Sequence, residues 1–193
     1  MRRLGLAIGG LFALAAAALA SVTTVTFEER RVEPSPVRPR AASVPASEGL
    51  LLPVQGFDRS ALSNSWGDAR SGGRGHRGLD LVAVEGTPVI AAAEGTVEKL
   101  FNSELGGTTL YLRSGDREWV YYYAHLAGYA SGMREGLKVG AGQVLGYVGD
   151  TGDAGDGNHH LHFGASRMRP GERWWQGEDV DPYPLLADQR GRR

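Results

Sequence analysis

Glycine interrupts this chain so often that long helices are a poor solution for it. Of 193 residues 29 are glycine, roughly twice the ~7% usual in soluble proteins, and only Trp, Tyr and Phe totals of 4, 7 and 5 supply aromatic bulk. Short apolar runs stand between the glycines: Pro88-Val89-Ile90-Ala91, Gly95-Thr96-Val97, Thr109-Leu110-Tyr111-Leu112 and Trp119-Val120-Tyr121-Tyr122-Tyr123. These read as strands. Glu85-Gly86, Gly106-Gly107, Ser114-Gly115 and Gly140-Ala141-Gly142 read as the turns that join them. The fold class expected is all-β, an antiparallel β-sheet or sandwich with glycine-rich loops. A faint echo, Glu85-Gly86-Thr87-Pro88-Val89 against Glu135-Gly136-Leu137-Lys138-Val139, points to two similar turn-and-strand units.

The first 49 residues have a different character. Met1-Arg2-Arg3 precedes an uncharged Ala/Leu-rich run, Leu4 to Ala20, that ends in Ala18-Leu19-Ala20 before Ser21. A basic start, an apolar middle and an A-x-A end make residues 1–20 an expected signal peptide. The uncharged stretch continues through Thr26, so the other expectation is an N-terminal membrane anchor. Either role exports the remainder to the periplasm or cell envelope, with inner-membrane association in the second case. Residues 21–49 hold Pro34, Pro36, Pro39 and Pro45 and read as a Pro-rich linker. Residues 50–193, long enough to bury a core, are then a single domain.

Composition removes several classes of chemistry. The chain has no cysteine, so disulfides, thiolate nucleophiles, Cys-ligated zinc and iron–sulfur clusters are excluded. Its 21 basic and 22 acidic residues show no long basic run, and nucleic acid is not an expected partner. Any metal must be held by His, Asp or Glu.

The five histidines, His76, His125, His159, His160 and His162, all fall in the domain. If His160-Leu161-His162-Phe163 is a strand, side chains alternate across it. His160 and His162 then share one face, and Leu161 and Phe163 the other, which satisfies burial and pocket chemistry together. An exposed polar sheet face is the plainer explanation, but it does not account for histidine at both positions. In Gly75-His76-Arg77-Gly78-Leu79-Asp80, His76 and Asp80 are four residues apart. That is ~13 Å along an ideal strand and too far for one ion. A glycine-assisted loop running into a strand over Leu81-Val82-Ala83-Val84 is therefore expected, although Asp80 alone is as easily a turn cap or a partner for Arg77. Two imidazoles, a carboxylate and a fourth position left to water are the composition of a catalytic zinc site. A zinc ion there would lower the pKa of its water to about 7 and polarise a carbonyl. His125 closes the run Tyr121-Tyr122-Tyr123-Ala124-His125, where alternation puts it on the face of Tyr121 and Tyr123.

These residues resemble the LytM/lysostaphin-like zinc metallopeptidases, peptidase family M23. The likeness rests on His76-x-Gly78-x-Asp80, Gly86-Thr87-Pro88-Val89-x-Ala91, Tyr123-x-His125-Leu126 and His160-Leu161-His162-Phe163, in the family's order, from about Trp66 to Phe163. The resemblance implies zinc (Zn2+) held by His76, Asp80 and His162, with His125 and His160 as the catalytic histidines. It also implies an antiparallel β fold of the duplicated hybrid motif type with the site in a groove. The implied activity is a zinc-dependent endopeptidase cutting peptide cross-links of bacterial peptidoglycan by a zinc-activated water, with stem peptides as partners. His159 stands where many members carry proline, and is expected at the rim of the site or as a competing ligand. A non-catalytic wall-binding relative, or an activator of another wall hydrolase, is the alternative; such relatives typically lose ligand positions, and here all are filled. A biotinyl- or lipoyl-type carrier, suggested by the Lys138-Val139 turn, leaves the histidines unexplained.

Three other features have plain readings. Asp150-Thr151-Gly152-Asp153-Ala154-Gly155-Asp156-Gly157 has the wrong aspartate spacing for a calcium loop, and Leu161 stands where its terminal glutamate would be. Gly140 to Gly146 is not a dinucleotide fingerprint. Trp174-Trp175 is expected to pack with the tail near Asp181-Pro182-Tyr183-Pro184 rather than stack on sugars.

Overall fold

The computed structural model describes residues 49–70 and 73–187. The leader read at residues 1–20, and the linker at 21–49 except Gly49, lie outside the described residues. No helix among the described residues is long and apolar enough to cross a membrane.

Among the described residues nine strands follow in order: β1 (Leu79–Val82), β2 (Pro88–Ile90), β3 (Gly95–Ser103), β4 (Gly107–Ser114), β5 (Trp119–Tyr129), β6 (Lys138–Val139), β7 (Val144–Val148), β8 (His160–Arg167) and β9 (Glu178–Val180). A one-turn helix, α1 (Tyr183–Ala187), closes the described chain. Strand neighbours run β1-β8-β5-β4-β3-β6, with β7 joining β2 to β5 and β9 lying beside β8. All pairs are antiparallel. This is the expected all-β class, realised as a single hydrogen-bonded nine-stranded network.

The echo between the two turn units has a structural counterpart. Gly86 and Gly136 both adopt positive φ, 78° and 80°, which glycine reaches without steric cost. Each turn leads into a short strand that delivers one buried valine, Val89 or Val139, to the core.

Alternation on β1 and β8 fixes which face becomes the site. Leu79, Leu81, Leu161 and Phe163 are fully buried, so Asp80, His160 and His162 are carried to the opposite side. The observed β1 starts two residues earlier than the strand expected at 81–84. The reason is burial: Leu79 and Leu81 fill the core, whereas Val82 and Val84 are 72% and 80% exposed. Asp80 is thus a strand residue rather than a loop residue, and its cross-strand partner is His162.

β5 holds the second correction. Tyr121 and Tyr123 enter the core, and continued alternation would send His125 after them. Instead the β4–β5 register shifts between Thr108 and Leu110, so that Leu110 faces Tyr123 and Thr108 faces Leu126. The extra residue is accommodated by a bulge, and His125 takes a φ of 59°. This turns its ring to the face of Tyr122 while Leu126 resumes core packing. The bulge also marks a fork: β5 pairs with β8 up to Ala124 and with β7 from Leu126 onward. A left-handed backbone costs a non-glycine residue ~1–2 kcal/mol, part of which glycine's own chain entropy offsets. His125→Gly is therefore expected to be more stable than His125→Ala by about 1 kcal/mol in urea unfolding. Equal stabilities would show that residue 125 is not held left-handed.

Candidate active site

Asp80 and His162 meet because they are directly paired across β1 and β8. His76 arrives from the preceding loop, which is tied by hydrogen bonds from Gly67 N to His76 O and from His76 N to Asp68 O, both 2.8 Å. His76 Nε2 lies 2.8 Å from His162 Nδ1 and 3.1 Å from Asp80 Oδ1, and His162 Nδ1 lies 3.2 Å from Asp80 Oδ1. Among the described residues this is the group able to hold a metal ion. A tetrahedral zinc with bonds of 2.0–2.1 Å needs ligand atoms ~3.3 Å apart. The observed triangle is within about half an ångström of that, and its donors are two imidazole nitrogens and a carboxylate oxygen, so the residues fit a zinc ion.

The ring orientations follow from the main chain. His76 Nδ1 lies 2.8 Å from the Ser65 carbonyl oxygen. A carbonyl only accepts, so Nδ1 carries the hydrogen and the Nε2 lone pair faces Asp80 and His162. His162 presents Nδ1 instead. Its Nε2 side is packed against Gly78, where a Cβ would lie 2.5 Å from Nε2 and 2.7 Å from Phe163 O. The glycine of His-x-Gly-x-Asp is thus required for space. Asp80's other oxygen is engaged by Arg70. Burial, the largest single influence on Asp80, works to raise its pKa. The polar groups of His162, His76 and Arg70 together outweigh it and hold the carboxyl well below the usual range. The Arg77 partnership considered from sequence is not formed; Arg77 pairs with Asp179 at 3.2 Å.

His125 and His160 flank the triangle. Their ring centroids are 4.8 Å apart, and His125 is 5.9 Å from His162. His160 Nε2 lies 3.7 Å from Asp80 Oδ1. His125 Nδ1 is 2.7 Å from Thr151 O, and His160 Nδ1 is 2.7 Å from Asn158 O. In both neutral rings Nδ1 donates to a carbonyl, which leaves Nε2 as an acceptor. Burial pushes the His125 and His162 pKa values down from the ordinary histidine value, so these rings stay neutral to lower pH than an exposed histidine. Thr151 is itself fixed, since its hydroxyl donates to Leu126 O at 2.9 Å and accepts from Thr108 N at 3.0 Å.

These residues line a groove of about 780 Å³ whose walls include Arg70, Arg74, Arg77, Leu105, Tyr122 and Asp153. The groove lining includes Asn158 and His160 but not His159, whose Nδ1 lies 3.7 Å from Asp150 and whose Nε2 lies 3.9 Å from Glu85; His159 is not part of the donor triangle either. Asp150, in the loop that looks calcium-like, accepts from Gly157 N at 2.8 Å. Trp174 packs on Tyr111 and Phe101, at 4.4 and 5.8 Å, which are partners not foreseen from sequence. Sequence reasoning also missed Ser65, Thr151 and Asn158, which act through backbone carbonyls and leave no side-chain signature. Gly78 was legible, as a glycine between two candidate ligands.

Residues 74–182 match the sequence profile of peptidase family M23. The chain belongs to that family. Among M23 relatives, the chain is 37% identical over 130 residues to the L-Ala--D-Glu endopeptidase of Bacillus subtilis, an alignment covering 64% of this chain and 38% of that protein. It is 36% identical over 90 residues to the peptidoglycan DD-endopeptidase ShyC of Vibrio cholerae, covering 47% and 20% respectively. The aligned part therefore spans well under half of either relative. The catalytic domain of lysostaphin from Staphylococcus simulans superposes with a TM-score of 0.56 at 28% identity, covering 67% of this chain and 96% of that one.

The Gly78 contact makes a sharp test. Gly78→Ala is expected to displace the His162 ring and weaken zinc binding about 10–100-fold, the range typical of lost ligand support. Competition with a chromogenic chelator measures this, and circular dichroism checks the fold. Unchanged affinity would show that the missing Cβ does not seat the ring.

Proposed function

We propose that this chain is a zinc-dependent endopeptidase that hydrolyses peptide bonds of bacterial peptidoglycan stem peptides. The observation that carries the reading is the convergence of His76 Nε2, Asp80 Oδ1 and His162 Nδ1 beside two imidazoles that present only acceptor nitrogens. The two named relatives support the class of substrate, and their names refer to different bonds, so they support no single linkage. Residues 1–20 would export the enzyme to the envelope, where that substrate lies.

His76, Asp80 and His162 would hold the zinc, which supplies Lewis-acid charge for the scissile carbonyl and makes water acidic enough to attack at neutral pH. His125 and His160 supply the proton chemistry. In its neutral form each offers only a lone pair at Nε2, so either can accept the proton of the attacking water. Neither donates to the developing oxyanion until it is protonated. Once charged, the same Nε2–H returns the proton to the departing amine. The Thr151 and Asn158 carbonyls keep hold of Nδ1–H throughout and also stabilise the imidazolium. The lowered His125 pKa keeps the acceptor form available below the ordinary ~6.5 of histidine.

Two variants separate ligation from proton transfer. His162→Ala is expected to lose both bound zinc and activity, whereas His125→Ala retains zinc and loses about 10²–10⁴-fold in turnover. Metal content and mass spectrometry of peptides released from purified sacculi read the two properties independently. Stoichiometric zinc in the unmodified protein with no new amine termini from several wall types would instead indicate a non-catalytic wall binder.

A further inference from the structure

The groove carries charge that the hydrolytic chemistry does not use. Residues 49–193 hold 15 basic and 18 acidic residues, yet three arginines and two aspartates line the groove, and one of those aspartates is Asp80. Arg70, Arg74 and Arg77 come from the segment that carries His76, while Asp153 comes from the loop between β7 and β8. Arg70 engages Asp80, and Arg77 engages Asp179 on β9. Arg74 differs: its guanidinium lies 3.8 Å from Asp153 Oδ2, a carboxylate on a different groove-lining segment.

We propose that Arg74 is a specificity-determining residue that reads a free carboxylate on the stem peptide, and that Asp153 occupies that position until the peptide arrives. The inference rests on the endopeptidase reading and names which stem peptides the groove favours. At 3.8 Å, with side chains 52% and 47% exposed, the Arg74–Asp153 pair is long and solvated. Such pairs contribute little to stability, so opening it costs little. A carboxylate brought in by a peptide that covers the groove is shielded from water and can meet the guanidinium in two-point geometry, which is a much stronger contact. Stem peptides present such groups. D-Glutamate linked through its side chain leaves its α-carboxyl free unless it is amidated, and a diaminopimelyl residue likewise carries a free or amidated carboxyl. Amidation replaces the anion with a neutral group that offers Arg74 one carbonyl acceptor and no charge.

The test uses the zinc-loaded full chain and synthetic muropeptides that differ only in whether the glutamyl or the diaminopimelyl carboxyl is free or amidated. In the unmodified enzyme, amidation of one of these groups is expected to lower kcat/KM about tenfold, as the loss of one charge-assisted contact implies. Arg74→Gln should bring that ratio close to one. Asp153→Asn, which removes that carboxylate's charge at nearly constant size, should increase it. Zinc content and circular dichroism confirm that each variant is folded and loaded. Equal cleavage of free and amidated substrates by the unmodified enzyme would overturn the proposal, as would a ratio that survives Arg74→Gln. A ratio unmoved by Asp153→Asn would remove Asp153 from it. If no muropeptide is cut at all, the endopeptidase reading falls and this inference with it, an outcome distinct from equal cleavage.

Discussion

The site depends on one register, the pairing of Asp80 with His162 across β1 and β8. Opposed residues of an antiparallel pair hold their Cβ atoms ~4.5–5.5 Å apart, which is the span a shared ion requires of a short carboxylate and an imidazole. The register is enforced from the other face. Leu79, Leu81, Leu161 and Phe163 are fully buried, and a slip by one residue would expose a strand's apolar set while driving its Asp or His side chains into the core. At ~1.5–3 kcal/mol for each buried side chain, exposing the apolar pair of either strand costs about 3–6 kcal/mol. Apolar packing thus sets the geometry of a polar site that it does not touch.

The remaining site residues are placed by the main chain. Three of the four site histidines, His76, His125 and His160, direct Nδ1 to a backbone carbonyl, of Ser65, Thr151 and Asn158 respectively. Each bond chooses a tautomer, and each leaves Nε2 as the reactive atom. His162 is the exception, and its inverted presentation coincides with the space left by Gly78. His125 carries a further cost, a left-handed backbone at a β-bulge. That strain sits where β5 exchanges β8 for β7 as its neighbour, at the point where the sheet forks beside the groove.

Much of this was legible in the sequence because alternation and burial act locally. The pattern His160-Leu161-His162-Phe163 announces both its strand and its two faces, and β8 has that arrangement. The strand class and the Gly86 and Gly136 turns were readable for the same reason. Asp80 was misplaced in a loop because glycine on either side of Arg77 obscured where pairing begins, and only the burial of Leu79 settles it. Alternation puts His125 on the face of Tyr121 and Tyr123, and the structure departs from this because a bulge is a property of two paired strands and leaves no period in either one. The carbonyl partners were invisible because every residue has a carbonyl. Arg70 was missed because its link to Asp80 crosses ten positions without a repeating pattern.

The division between strand and loop also bears on selectivity. In the proposed mechanism the donor triangle and the two Nε2 acceptors would address a carbonyl, a water and a departing nitrogen, which every peptide bond provides. Discrimination must therefore come from contacts beyond the amide. The groove residues that could make such contacts lie on segments outside the β1–β8 ladder: Arg74 in the loop before β1, Leu105 between β3 and β4, and Asp153 between β7 and β8. Changes at these positions leave the buried faces of Leu79, Leu81, Leu161 and Phe163 untouched, so the metal geometry can persist while the charge of the walls varies. A domain arranged in this way can keep one hydrolytic chemistry and alter its peptide preference by loop substitutions alone, because the energy that fixes the site is spent on the opposite side of the sheet.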